Sequence, residues 1–462
     1  MNNHYVEDKS AYLDITNHPD VKEFINACEY IREPSENEIE EIKKCFTKVI
    51  PKGDYPDNII GLDANFYEAK VREEIPFTNF GFVKVSNILL KKKDIEDIVD
   101  DKFLDPFEVA KMQKNNESHI FVFPSSNILY KNNDSVRDGF RLRMEELFDE
   151  IKSFDNDDNT SLLQTLFWLN ENRKGYGGKN SIKISNCPNY NCNGKNLEYL
   201  NIKSRQYCPY CNKPIFATDC LRIWEEISED AASNLSSLSR FSNVIKSIFL
   251  AHFIRTIRLR SKETYLKALS GMMFVINGPL AVFGNPAWVH GSLMKIIYEI
   301  NENLEKAGLD KMMVIGMHNS SEVLSYANYL CKYLEPNSLL SVSDEFRNKY
   351  ITFARKESST TFGAETYYGQ HFIYKTSSGK IKVFSIPYPF KGKEDLQMFK
   401  MEKSNINNYK DINRYLKFIE DFDCDMFDNA VIPSLLAKKY SVINLQPGSK
   451  VLDLLSKIGL KK

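Results

Sequence analysis

Asn58-Ile59-Ile60-Gly61-Leu62-Asp63 and Met272-Met273-Phe274-Val275-Ile276-Asn277 are two short apolar runs, each closed by a polar residue. Runs of this length and composition read as strands buried on both faces. The second stops at Gly278-Pro279, a turn signal. A helix is expected over 286–307 and another apolar strand over 312–315. Strand, helix, strand is the alternation of an α/β fold with parallel strands.

Outward from these runs, residues 80–90 are rich in β-formers and predict a strand, with another at 119–123. Residues 370–375 and 380–386 flank Ser377-Ser378-Gly379 as a β-hairpin. Residues 20–48 read as two helical segments, with Ser35 and Glu38 spaced as a capping box. Residues 170–180, with Gly175, Gly177 and Gly178, form a loop. A long helical region is expected over 220–269, and three helices close the chain. The expected units are a helical N-terminal region (1–56), an α/β domain in two parts (57–182 and 217–462), and an insert between them (183–216).

At 462 residues the chain is too long for one ordinary core, and with 42% hydrophobic residues it is globular rather than disordered. A net charge of −1 neither demands nor excludes nucleic acid, because a local basic face can bind phosphates. No segment is apolar over the length needed to cross a bilayer. The start carries Glu7, Asp8 and Lys9, unlike a secretory signal, so a cytoplasmic protein is expected.

Cys187-x4-Cys192 and Cys208-x2-Cys211 are two close pairs able to converge as knuckles on one tetrahedral structural Zn²⁺. Four thiolates saturate the metal, so the site would fold a small ribbon and activate no water. The spacing does not say whether such a ribbon meets DNA or protein. Cys28, Cys45, Cys220, Cys331 and Cys424 are scattered singly, as reduced thiols usually are. Asp155 to Asn159 is acidic but lacks the glycine and terminal glutamate of a calcium loop, and reads as a linker.

Asp63, at the carboxyl end of a buried strand, stands where α/β nucleases place a metal-binding carboxylate. Two-metal phosphodiester cleavage needs several such carboxylates, because each Mg²⁺ or Mn²⁺ requires anionic oxygen ligands. From this point the chain resembles the NurA nucleases. Ile60 to Asn65, Glu68 to Val71, Pro76 and Gly81-Phe82-Val83 are similar to the family's opening. Thr218 to Glu225 is similar to a block that bacterial members carry after a zinc ribbon. Asn277 to Gly284 with Pro286-Ala287-Trp288, Tyr368 to Lys375, Asn429 to Pro433, and Pro447 to Leu452 follow in the family's order. The resemblance implies a ribonuclease H-like mixed sheet with flanking helices and a homodimer. It also implies action on DNA ends, in repair or antiviral defence, beside a HerA-type hexameric ATPase that pumps the duplex.

The departures from the family bear on chemistry. The family's Asp-Gly-Ser is here Asp63-Ala64-Asn65, and its later strand aspartate is here Asn277. It places a glutamate on the preceding helix, whereas residues 231–262 hold no acid, and its Ala-His is here Ala437-Lys438. Asp63 would anchor Mn²⁺ or Mg²⁺, with Asn277 as a neutral ligand or as the relic of a lost one. Asp219, Glu225 and Asp344, and also Glu68 and Glu263, are candidate replacements, each with the plainer reading of an exposed or capping acid. Two functions follow: a nuclease subunit, or a catalytically weakened homologue that binds DNA and regulates the ATPase. Arg255, Arg258, Arg260 and Lys262 lie on one helical stretch and form either a phosphate track or an ordinary solvated face. His252, amid Phe249, Leu250 and Phe253, reads as a core residue.

Overall fold

The computed structural model describes residues 17–28, 34–72, 76–93, 116–175, 178–352, 361–423, 429–445 and 448–459. The chain divides after Phe46 into two compact units. In the first, helix α1 (Pro19–Ala27) opens on a proline, whose missing N–H costs nothing in a first turn. Helix α2 (Glu36–Lys44) starts at Ser35, whose hydroxyl accepts from the Glu38 N–H while the Glu38 carboxylate accepts from the Ser35 N–H. This is the reciprocal cap that the spacing predicts.

Among the described residues, the second unit is built on a mixed sheet of nine strands. Strand β1 (Thr47–Lys48) lies at one edge, and β2 (Asn58–Arg72), β3 (Thr78–Lys91) and β4 (Asn116–Ser126) form an antiparallel meander at the other. Four short strands, β5 (Ser181–Asn186), β6 (Lys195–Leu200), β7 (Gln206–Tyr207) and β8 (Pro214–Ile215), pair apart as two hairpins. β9 (Met272–Asn277) pairs parallel with β2, and β10 (Met313–Met317) parallel with β9. β11 (Ser338–Ser341), β12 (Gly369–Lys375) and β13 (Ile381–Pro387) complete the order β1-β11-β12-β13-β10-β9-β2-β3-β4. The apolar runs 58–63 and 272–277 are therefore neighbouring parallel strands. β2 continues far past Asp63, because residues 64–72 keep pairing with β3.

Side chains alternate across β2. Ile60, Leu62 and Ala64 enter one core, and Ile59 enters the other. Over the first core lie helices α3 (Val136–Glu150), α4 (Leu162–Glu171), α5 (Leu235–Ser261), α6 (Tyr265–Ser270) and α7 (Trp288–Lys306). Helix α8 (Glu322–Leu330) packs by β13, and α9 (Leu396–Glu402) leads to α10 (Ile412–Asp421) and α11 (Ile432–Ser441), which cover the second core. α12 (Gly448–Gly459) lies against β2. Four helices, one more than expected, follow β13 among the described residues.

The single helical region expected over 220–269 is broken. Residues 217–226 form tight 3₁₀ turns, and α5 begins only at Leu235. Asn234 holds the break: its amide donates to the carbonyls of Ser125 (2.6 Å) and Ser228 (3.1 Å), and its N–H to Glu68 (3.0 Å). Around the cysteines, the β5–β6 hairpin joins the first core through Ile182, Ile184, Leu197 and Tyr199, and the β7–β8 hairpin through Ile215. No described helix is long and apolar enough to cross a membrane.

Candidate functional site

Each cysteine pair sits on a hairpin turn. Cys187 follows β5 and its N–H donates to Gly194 (2.8 Å), while Cys208 follows β7 and donates to Lys213 (2.9 Å). Asn191 and Asn212 take the left-handed backbone of these turns, which asparagine tolerates better than most residues. The four Sγ atoms lie within 4.8 Å of one another, with Cys187–Cys211 at 3.9 Å and Cys192–Cys208 at 3.8 Å. Four thiolates about 2.3 Å from a tetrahedral zinc would be about 3.8 Å apart. The cluster can therefore hold a metal such as zinc.

A polar chain ties the cluster to the main fold. Asn189, buried, donates to the sulfurs of Cys187 (3.3 Å) and Cys211 (3.5 Å), and Arg141 donates to Asn189 Oδ1 (3.3 Å). Arg141 is itself gripped by Asp219 through two bonds of 2.8 Å. Both charges are buried, and a bidentate pair of this kind is what makes burial tolerable. Asp219 thus fastens the cysteine hairpins to α3.

Asp63 lies on a different part of the sheet. It is 2% exposed and accepts from Ser441 Oγ at 2.6 Å, at the end of α11. Across the pairing of β2 with β9 stands Asn277, whose side-chain oxygen accepts from Asn319 and whose backbone carbonyl accepts from Lys246 Nζ (2.8 Å). Gly278, at φ 115°, leaves room for that ammonium, for a Cβ there would come within 3.2 Å of it. Burial pushes the Lys246 pKa down, and the Asp63 charge partly opposes this. The centre consists of one carboxylate, one amine and two amides. Among the described residues, the cysteines are the sole group of three or more ligating side chains close enough to share a metal.

The other acids are engaged elsewhere. Glu225 forms a two-pronged pair with Arg222 (2.7 and 2.8 Å) and accepts from Asn285. Asp344 is paired with buried Lys403 at 2.6 Å. Glu68 accepts from Ser125, Ser233 and the Asn234 N–H, the start of α5. Glu263 is exposed in the turn after α5. None of these contacts joins Asp63.

The basic residues of α5 divide. Arg240 pairs with Glu226 (2.6 Å), and Arg255 donates to the Asn159 carbonyl (2.6 Å). Arg258, Arg260 and Lys262 are exposed at the carboxyl end of the helix, with Arg260 over the Phe154 ring. Lys203, between the cysteine hairpins, pairs with Asp158 in the same 154–159 loop, so this end of α5 adjoins the hairpins. His252 bonds Ser153 and Thr165 through its two ring nitrogens (2.8 Å each), and burial pushes its pKa down to about 3.

Lys246, Asn319 and Ser441 escaped sequence reasoning. A lysine within a basic helical stretch looks like a surface cation, and nothing in sequence links residue 441 to 63. Compared with known proteins, the chain matches no family model, no curated protein and no solved structure.

Proposed function

We propose that this protein is a NurA-like subunit that binds DNA ends beside a HerA-type hexameric ATPase, and that its acidic centre has been converted into a metal-independent one. The observation that carries this reading is the Lys246 ammonium on the Asn277 carbonyl, beside Asp63. A fixed amine repels a divalent cation and offsets part of the charge of the carboxylate that would hold it. A centre with one carboxylate is also short of the anionic oxygens two ions need. The meander β4-β3-β2 continued by parallel β9 and β10 supports a ribonuclease H-like core. The sulfur spacing supports zinc as the metal of an inserted ribbon. A cytoplasmic homodimer belongs to the same reading.

The test uses the full chain with linear DNA and Mn²⁺, with and without a HerA-type ATPase and ATP. The expected result is DNA binding that needs no Mn²⁺, with no cleavage by the wild type or by Asp63→Ala. Placing acids at the centre in a Lys246→Glu/Asn277→Asp variant should create Mn²⁺ binding measurable by calorimetry. Mn²⁺-dependent cleavage by the wild type that Asp63→Ala abolishes would overturn the reading in favour of an active nuclease.

A further inference from the structure

Beyond β10 the sheet carries a second polar cluster that the centre at Asp63 does not use. Arg347 is 6% exposed and opens a π-helical turn (Arg347–Ile351), a local irregularity common at functional sites. Its guanidinium lies over the Phe362 ring, 3.7 Å from the centroid, so that face is closed to a ligand. One edge donates to His371 Nδ1 at 2.9 Å. Arg347 Nε is buried with no partner. No carboxylate lies within ion-pairing distance of it among the described residues. The described acids that act on it are already committed or remote: Asp344 to Lys403, and Glu322 exposed at the start of α8.

His371 adds a second idle donor. Arginine can only donate, so Nδ1 must accept, and the proton of the neutral ring is on Nε2. Burial and the neighbouring Arg347 and Lys403 charges hold the ring neutral. His371 Nε2 is also buried without a partner. His318, 4.5 Å away ring to ring, directly follows β10 and lies 3.4 Å from Ser385 Oγ. The cluster thus stands at the carboxyl end of the parallel strands, where open α/β sheets bind their ligands. A buried uncompensated cation beside unfilled N–H donors is costly unless an anion completes it.

We infer that Arg347 and His371 form a binding site for a phosphate oxyanion. The guanidinium supplies the charge and the Nε–H, while His371 fixes its other edge through Nδ1, the His371 Nε2–H leaving the ring on the opposite side. The phosphate would be either free inorganic phosphate or the terminal monoester of a DNA strand. The site stands apart from the DNA reading proposed above; only the second source rests on it.

Calorimetric titration of the full chain with inorganic phosphate tests the site directly. Saturable binding is expected, together with a rise in melting temperature. Arg347→Gln should weaken it about tenfold or more, the loss of a charge-assisted hydrogen bond, and His371→Phe should weaken it by releasing the guanidinium edge that Nδ1 holds. The wild-type titration keeps the inference falsifiable if either variant fails to fold. No saturable phosphate binding by the wild type overturns it, whatever DNA does. A preference for a 5′- or 3′-phosphorylated oligonucleotide over its hydroxyl-ended twin, competed away by phosphate, identifies a strand terminus as the source. Phosphate binding with no such preference identifies the free ion. Failure of DNA binding with phosphate binding intact sinks the proposed function and leaves this site standing.

Discussion

At the scale of single residues, the cysteine cluster depends on a neighbour that is not a ligand. Asn189 donates to two of the four sulfurs and receives Arg141, so it fixes the turn and would offset thiolate charge once a metal such as zinc is bound. Outer hydrogen bonds of this kind typically contribute 10–100-fold to metal affinity. Asn189→Ala should therefore lower zinc affinity by about that factor in a chelator competition, with the four cysteines intact. Unchanged affinity would show that the thiolates alone hold the ion. The cysteines themselves were legible from their spacing, because metal geometry constrains it. Asn189 was not, for an asparagine between two cysteines is indistinguishable in sequence from any turn residue. Lys246 illustrates the same limit more sharply: its chemistry comes from burial against the end of β9, which no local pattern reports.

At the scale of elements, strands were the most legible part, since β2, β9, β10 and the β12–β13 hairpin are continuous runs of β-formers. Less legible was what presses on them. Gly61 sits where β2 meets α11, and a Cβ there would fall on the Pro433 carbonyl, 3.0 Å from its carbon and 3.1 Å from Ile88. Gly61→Ala must push α11 off the sheet and with it Ser441 from Asp63. A loss on the order of 1–3 kcal/mol, the usual range for overpacking, is expected in urea unfolding. The carboxyl end of α5 makes an independent prediction. Arg258, Arg260 and Lys262 are exposed, whereas Arg255 is tied to Asn159 and is left unchanged. On the DNA-binding reading proposed above, replacing the three by glutamate should weaken that binding at every sequence and flatten its dependence on salt. The log–log slope should fall by about 0.9 for each duplex phosphate that is no longer neutralised. An unaltered slope would make this end of the helix an ordinary solvated face.

At the scale of the whole molecule, acid stability reports how the polar residues are buried. His252, His290 and His318 are each pushed down to about 3 by burial, and His371 well below its ordinary value. In the unfolded chain all four would titrate near 6.5. Below that pH the unfolded state binds protons the folded state refuses, so stability falls as pH falls. Glu145 acts in the opposite sense: burial raises its pKa to about 7, so the folded state binds its proton first and gains stability as pH falls from 7 toward 4.5. Four histidines against one carboxyl leave the net effect destabilising. Each histidine should cost on the order of 1 kcal/mol by one pH unit below 6.5. The melting temperature should accordingly drop steadily between pH 6.5 and 5. His252→Gln can keep the bonds to Ser153 and Thr165 without a titrating ring, and its melting temperature should fall less over that interval than the wild type's. Parallel slopes for the two proteins would mean that His252 takes up its proton in the folded state, and that the core around it is open to water.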